Sequence, residues 1–331
     1  MKNLGLNRRS LMVGTAAGVL AAPALIAGGR TAEAAMAADD AAGSMMGEGI
    51  RPLKVGSFRV TVIRDGARAG DKINETFGTD QPKEEVAKLL RENFLPEDQF
   101  VNSFSPVLVE TGSEKILFDT GMGEMGQSFG AGRLVDGLAA AGVKPEDITT
   151  VVLTHLHPDH FGGLMKGGEP AFPKARYVIG EAEYGFWTST DRKGTPAEKN
   201  HDMVMQAVAP LAEKATFLKE GDAVVPGITA MLAPGHTPGH LIFGLESEGR
   251  KLMLTADTCN HYVLSLQRPD WEVRFDADKA GAAATRKKVF DMIATDRIAF
   301  IGYHMPFPAV GFVEKSGPGY RFVPASYQFD I

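Results

Sequence analysis

The stretch Thr154-His155-Leu156-His157-Pro158-Asp159-His160-Phe161-Gly162-Gly163 constrains this chain more than any other. Three histidines and an aspartate stand in the span from 155 to 160, directly after the apolar run Ile148 to Leu153. Side chains at i and i+2 of an extended backbone point the same way, so His155 and His157 can reach one ion. Pro158 ends the extended segment and leaves Asp159 beside His160, able to face a second ion. Imidazole and carboxylate together suit zinc and its first-row neighbours. The bland alternative is a solvated polar loop. Gly162-Gly163 speaks against it, because the pair stands where a tight turn into a helix needs glycine.

The stretch resembles the HxHxDH signature of the metallo-β-lactamase superfamily, and that resemblance implies three further ligands at the ends of later strands. His236 in Ala233-Pro234-Gly235-His236, Asp257 in Leu254-Thr255-Ala256-Asp257 and His304 in Ile301-Gly302-Tyr303-His304 each follow a short apolar run. Carried over, His155, His157 and His236 hold one metal ion, Asp159, His160 and His304 hold a second, and Asp257 bridges them. The resemblance further implies an α/β fold, a single-domain αββα sandwich, with two divalent ions per chain, zinc in the first place. Hydrolysis then uses a hydroxide shared by the ions and oriented by Asp159 and Asp257. Asp119, in Phe118-Asp119-Thr120-Gly121, matches a turn beside the metal loop and is expected to support the site rather than bind an ion. His240 is expected in the same role. Cys259, two residues past Asp257, is read as a bystander.

Departures within the family narrow the chemistry. Zinc β-lactamases lack a bridging carboxylate, flavodiiron proteins carry Glu where His157 stands, and glyoxalase II adds a helical domain for which the C-terminal part offers only one good helix. The similarity extends to methyl parathion hydrolase and lactonase-like exported hydrolases through Asp159-His160-Phe161-Gly162-Gly163-Leu164-Met165, Phe172-Pro173, Phe186-Trp187, Arg286-Lys287-Lys288 and Gly319 to Pro324. It implies an apolar wall at the site, with Trp187, Phe186, Phe129 and Phe307 as candidates, and His261 in a polar loop facing substrate. The expected substrate is a small apolar lactone or aryl ester, with a phosphotriester as the alternative. A one-iron persulfide dioxygenase would instead use His155, His236 and Asp257.

The first residues read as an address rather than as fold. Asn7-Arg8-Arg9-Ser10-Leu11-Met12 is a twin-arginine pattern, followed by a weakly apolar stretch and an Ala32-Glu33-Ala34 cleavage site. Residues 1–34 are expected to be a signal peptide, 35–50 a disordered tail and 51–331 the metallo-β-lactamase-fold domain, placed in the periplasm or secreted. With a net charge of −6 over 331 residues, an acidic surface argues against nucleic acid, and no membrane contact is expected once the signal is removed. A single cysteine excludes an intrachain disulfide. Monomer and homodimer both stay open. Periodicity predicts strands at Phe58 to Ile63, Pro106 to Glu110, Lys115 to Asp119, Ala175 to Ile179 and Tyr320 to Pro324. Helices are predicted over Pro82 to Asn93, Arg133 to Ala141, from Glu181, over Asp202 to Leu211 and over Asp278 to Ala294. Ser189 to Asn200 reads as an exposed loop, and His201 as a surface residue.

Overall fold

Two seven-stranded sheets face each other across a shared core in the computed structural model, which describes residues 49–331. The expected signal peptide and the expected tail up to residue 48 lie outside the described residues, and Ile50, the last residue assigned to the tail, already belongs to a strand. The first sheet runs Ile50–Val55, Phe58–Ile63, Val107–Glu110, Lys115–Phe118, Thr150–Leu153, Arg176–Gly180, Ala215–Leu218. The second runs Ala223–Val225, Ile228–Leu232, Leu241–Ser247, Arg250–Ala256, Ala299–Gly302, Val310–Ser316, Gly319–Pro324.

Alternation along the strands explains the layering. Val107, Val109, Ile116, Phe118, Val152 and Val178 point into the space between the sheets, where they meet Phe243, Leu252, Leu254 and Ile301. The interleaved Leu108, Leu117, Val151, Leu153 and Ile179 point the other way, onto Leu134, Leu138, Val204 and Val208. Both faces of the first sheet are therefore buried, which is why its strands read as unbroken apolar runs. Val289, Phe290 and Ile293 of helix Lys279–Asp296 cover the outer face of the second sheet. The architecture is the expected αββα sandwich.

Strand direction decides where the chemistry collects. Lys115–Phe118, Thr150–Leu153 and Arg176–Gly180 are mutually parallel, as are Arg250–Ala256 and Ala299–Gly302. Their C-terminal ends deliver Asp119, Thr154-His155, Asp257 and Tyr303-His304, the edge at which open α/β sheets hold ligands.

Several local expectations change. Ile50–Val55 is a strand that Arg51 and Pro52 hide from the sequence pattern; as the edge of its sheet it tolerates proline. Gly66–Asp71 and Gln99–Phe104 form a separate ribbon. The amphipathic segment begins earlier, as helix Glu198–Ala207, and the chain tightens to a 3-10 turn at Ala209–Lys214 where Pro210 lacks an amide hydrogen. His201 is consequently not on the surface: it is buried, with Nδ1 2.7 Å from the Trp187 carbonyl. Gly319–Pro324 is an edge strand as expected. No helix among the described residues is long and apolar enough to cross a membrane.

Candidate metal centre

Strand Thr150–Leu153 ends in Thr154, and the chain turns there because Asp119 holds it. The Asp119 carboxylate accepts from the Thr154 amide (2.9 Å) and hydroxyl (2.8 Å) and lies 2.8 Å from His160 Nδ1. Asp119 (φ 60°) and Ala256 (φ 40°) both occupy the left-handed region, a strain of about 1–3 kcal/mol each that re-aims the strand ends. After His157, Pro158–Phe161 makes a single helical turn with proline at its first position. Gly163 then packs against Thr120, whose carbonyl oxygen would lie 2.2 Å from any Cβ placed there.

The fold brings all seven anticipated donors together. His155 Nε2 lies 3.1 Å from His157 Nδ1, which lies 3.0 Å from His236 Nε2. Asp159, His160 and His304 form a second group, with Asp159 Oδ2 3.7 Å from His160 Nε2 and 3.5 Å from His304 Nε2. Asp257 stands between the groups. Its Oδ2 is 2.9 Å from His304 Nε2 and 3.3 Å from His236 Nε2, while Oδ1 is 3.2 Å from His160 Nε2.

Whether these residues fit cations follows from where their protons are. Thr154 gives its hydroxyl proton to Asp119, so it accepts from His155 Nδ1 at 3.1 Å. His304 Nδ1 faces the Ser103 carbonyl at 2.8 Å and His236 Nδ1 the Asp276 carboxylate at 3.0 Å, so both must donate. In the neutral rings this leaves bare nitrogen at the Nε2 of His155, His236 and His304. A proton on His157 Nδ1 could serve only one of its two close contacts; a cation serves all three nitrogens. His160 Nε2 and Asp257 Oδ1 are likewise buried with no hydrogen-bond partner, a cost of about 1–3 kcal/mol each that coordination removes. The set fits two divalent ions.

Burial, then the charge of His160, drives His155 well below the usual histidine range. Burial and then His236 do the same to His157. Burial also opposes charge on His160, but the carboxylates of Asp257, Asp119 and Asp159 outweigh it and hold that ring well above the range. Asp257 is buried too, yet His304 and His160 keep it well below the carboxylate range. Neutral imidazoles and ionised carboxylates are the forms that bind metal. His155, His157 and Asp257 thus stand ready, while His160 and His304, held up by the carboxylates despite burial, give up a proton when an ion binds.

The supporting residues fall into place around the donors. His240 Nε2 accepts from the Asp257 amide (3.1 Å), the supporting role expected of it. Cys259 is buried and in none of the donor groups; burial pushes its thiol up to about 12. Trp187 is the wall candidate nearest the donors, its ring edge-on to His157 at 5.8 Å. Phe186 is half-buried and packs on Trp187. Phe129 belongs to a small cluster with Phe104, Ala131 and Tyr303, whereas Phe307 packs on the core between the sheets.

The polar loop is a correction. His261 does not face substrate: it is buried, and its Nδ1 accepts from the amides of Val263 (3.1 Å) and Leu264 (3.0 Å), capping a short turn. Burial lowers it to about 3. Asn260 also turns inward and donates to Asp257 Oδ2 at 2.9 Å.

Four partners were not anticipated in their roles. Asp276 orients His236, and Arg286, paired with Asp276 at 2.9 Å, also donates to the Thr258 carbonyl beside Asp257. Tyr303 lies over His160 (ring centroids 3.9 Å) and donates to the Asp159 carbonyl at 2.5 Å. Glu183 lies buried behind the histidines. Tyr303 carries a sequence signal in its place next to His304, and Arg286 in the Arg286-Lys287-Lys288 run, whereas Asp276 and Glu183 carry none.

A family model described as the metallo-beta-lactamase superfamily matches residues 104–292. An N-acyl homoserine lactonase of Bacillus cereus is 28% identical over 216 residues, covering 59% of this chain and 79% of the relative. Among solved structures, AidC, described as a dizinc quorum-quenching lactonase in complex with a product, superposes with a TM-score of 0.79 at 29% identity, covering 84% of this chain and 98% of AidC. AbOPH, described as a hydrolase in the beta lactamase superfamily, gives 0.76 at 27% identity, covering 84% of this chain and 98% of AbOPH.

Proposed function

The chain belongs to the metallo-beta-lactamase superfamily and is a metallo-hydrolase, and on that premise we propose that it opens lactones or cleaves aryl esters at a pair of zinc ions. The observation that carries this reading is the convergence of the seven donors, with Asp257 between two groups of three. His155, His157 and His236 would hold one ion, Asp159, His160 and His304 the other, and Asp257 both. Two such ions supply a water of lowered pKa and a Lewis acid for the ester oxygen.

The chain's own groups do the rest. Asp119, Thr154, Ser103 and Asp276 fix the ring orientations through the outer nitrogens, which keeps the inner ones aimed without reorganisation. Asp257 is buried, whereas the Asp159 side chain keeps 21% of its surface. Asp159 is thus the donor carboxylate placed to take a proton from the attacking water and return it to the leaving oxygen. Trp187 is buried against His157 and Phe186 and backs the first group of donors with an apolar ring. A one-iron oxygenase using His155, His236 and Asp257 would leave His160 Nε2 without a partner.

The alternative substrate is a phosphotriester, expected from the sequence resemblance to methyl parathion hydrolase. The likeness to lactonases favours the carbonyl centre. On one zinc-loaded preparation, kcat/KM for dihydrocoumarin, an acyl-homoserine lactone or a phenyl ester is expected to exceed that for methyl parathion by at least about tenfold, near 1.4 kcal/mol. Methyl parathion as the fastest substrate would overturn the preference; no turnover of any ester would overturn the reading.

We also propose export by the twin-arginine route, which delivers a folded, metal-loaded enzyme. Changing Arg8 and Arg9 together to Lys should leave folded precursor in the cytoplasm. Unchanged secretion would point to the general pathway.

A further inference from the structure

The geometry points to Glu183 as a positioning residue that sets the spacing of the His155–His157–His236 group by tying its two loops to one carboxylate. Glu183 stands in the first turn of helix Glu181–Thr188 and is fully buried. Oε1 accepts from the Leu156 amide at 2.9 Å and from the Trp187 indole Nε1 at 2.8 Å. Oε2 accepts from the Thr237 hydroxyl at 2.7 Å and the Gly239 amide at 3.0 Å.

Each donor is a neighbour of the histidine group. Leu156 lies between His155 and His157, the Trp187 ring abuts His157, and Thr237 follows His236. The Gly239 turn is pressed onto the helix so closely that a Cβ there would lie 2.1 Å from the Glu183 amide nitrogen. The second group is tied by other residues: Tyr303 beside His304 donates to the Asp159 carbonyl, Asp119 and the Ser103 carbonyl hold His160 and His304, and Glu183 bonds none of them.

The chemistry of the four partners makes the carboxylate specific. All four donate, and a carboxylate offers acceptors on both oxygens. A buried carboxylate without a cation survives only when it is so satisfied. An amide in its place must turn its NH2 toward one pair. The Thr237 hydroxyl can rotate to accept, but the Gly239 and Leu156 amides cannot, so Glu183→Gln leaves one backbone N–H facing an N–H. The favoured orientation puts that conflict on the Thr237-Gly239 side and displaces His236.

The inference rests on the two-ion reading, and the experiment separates the two. His304→Ala isolates the first group and His236→Ala the second, and Co2+ is titrated into each chelated protein while the visible d–d absorption is followed. Glu183→Gln is expected to weaken Co2+ binding at least about tenfold in the His304→Ala background, with an altered spectrum. In the His236→Ala background the change should stay within about twofold. Equal weakening in both backgrounds, or in neither, would overturn the role of Glu183 and leave the two-ion centre standing. Absence of Co2+ binding in both parents would overturn the two-ion reading and this inference with it. Cooperative melting of the chelated proteins checks the fold. Should Glu183→Gln not fold, Thr237→Val removes a single donor and is expected to weaken the first group alone by several-fold; an equal effect on both groups would count against the proposal. A core truncation matched for melting loss, Val289→Ala, should leave the ratio of the two affinities unchanged, and a shifted ratio would overturn the assignment.

Discussion

Asp257→Asn is expected to cost the centre at least one ion and to lower kcat by roughly 10²- to 10³-fold or more. The carboxylate is buried within 3.3 Å of ring nitrogens of His160, His236 and His304. Removing one partner from such a buried charged set costs about 3–5 kcal/mol of stability, and loss of the ion-supplied nucleophile raises the barrier, a decade in rate for each 1.36 kcal/mol. Asparagine keeps the shape but removes the negative charge that both ions would share, and its NH2 end cannot coordinate a cation. Elemental analysis beside steady-state kinetics reads both effects. Full metal content with unchanged kcat would remove Asp257 from the centre. Cys259→Ser is the matched control and should be nearly silent, because the thiol is held neutral and bonds the His261 carbonyl at 3.5 Å. A lost ion there would overturn the ligand assignment.

Removing the metal should have the second large effect. Chelation is expected to abolish hydrolysis, with zinc, manganese or cobalt restoring it, and to lower Tm by roughly 8–16 °C for each tightly held ion. A ligand present at a thousand times its Kd adds about 4 kcal/mol to stability. In a domain of this size 1 kcal/mol moves Tm by about 2–4 °C. The physical source is visible in the donors, since bare nitrogens 3.0–3.1 Å apart repel one another until a cation lies among them. Hydrolysis that survives full chelation would sink the metal-centred reading; a Tm that does not move would show that the donor set is held open by the scaffold alone.

Part of this molecule was legible without coordinates. Strand Phe58–Ile63 and the helices Lys83–Glu92 and Lys279–Asp296 follow the expected spans closely, because their apolar residues fall at strand or helix spacing and their ends carry turn residues. Where local chemistry conflicted with tertiary placement, the reading failed. Pro52 conceals a strand that is allowed only because it lies at a sheet edge. His201 looks solvated until helix Glu198–Ala207 packs it beneath Trp187.

The same division runs through the site. By itself the sequence determined the family, the layered fold and the order of the seven donor residues, because the donors sit in the segments that follow four strand ends and such junctions leave a local pattern of apolar run, then ligand. Only the tertiary structure decided what holds them. Asp276 reaches His236 across 40 residues, Ser103 reaches His304 across 201, and Glu183 reaches Leu156 across 27 and Thr237 across 54. It also decided that Asn260 and His261, polar residues next to a ligand, turn inward to serve the backbone and Asp257 rather than substrate. A lone carboxylate or histidine in sequence carries no mark of its partner. Burial in a dry interior forces each polar group to find one, and which one it finds depends on chain segments that meet only after folding.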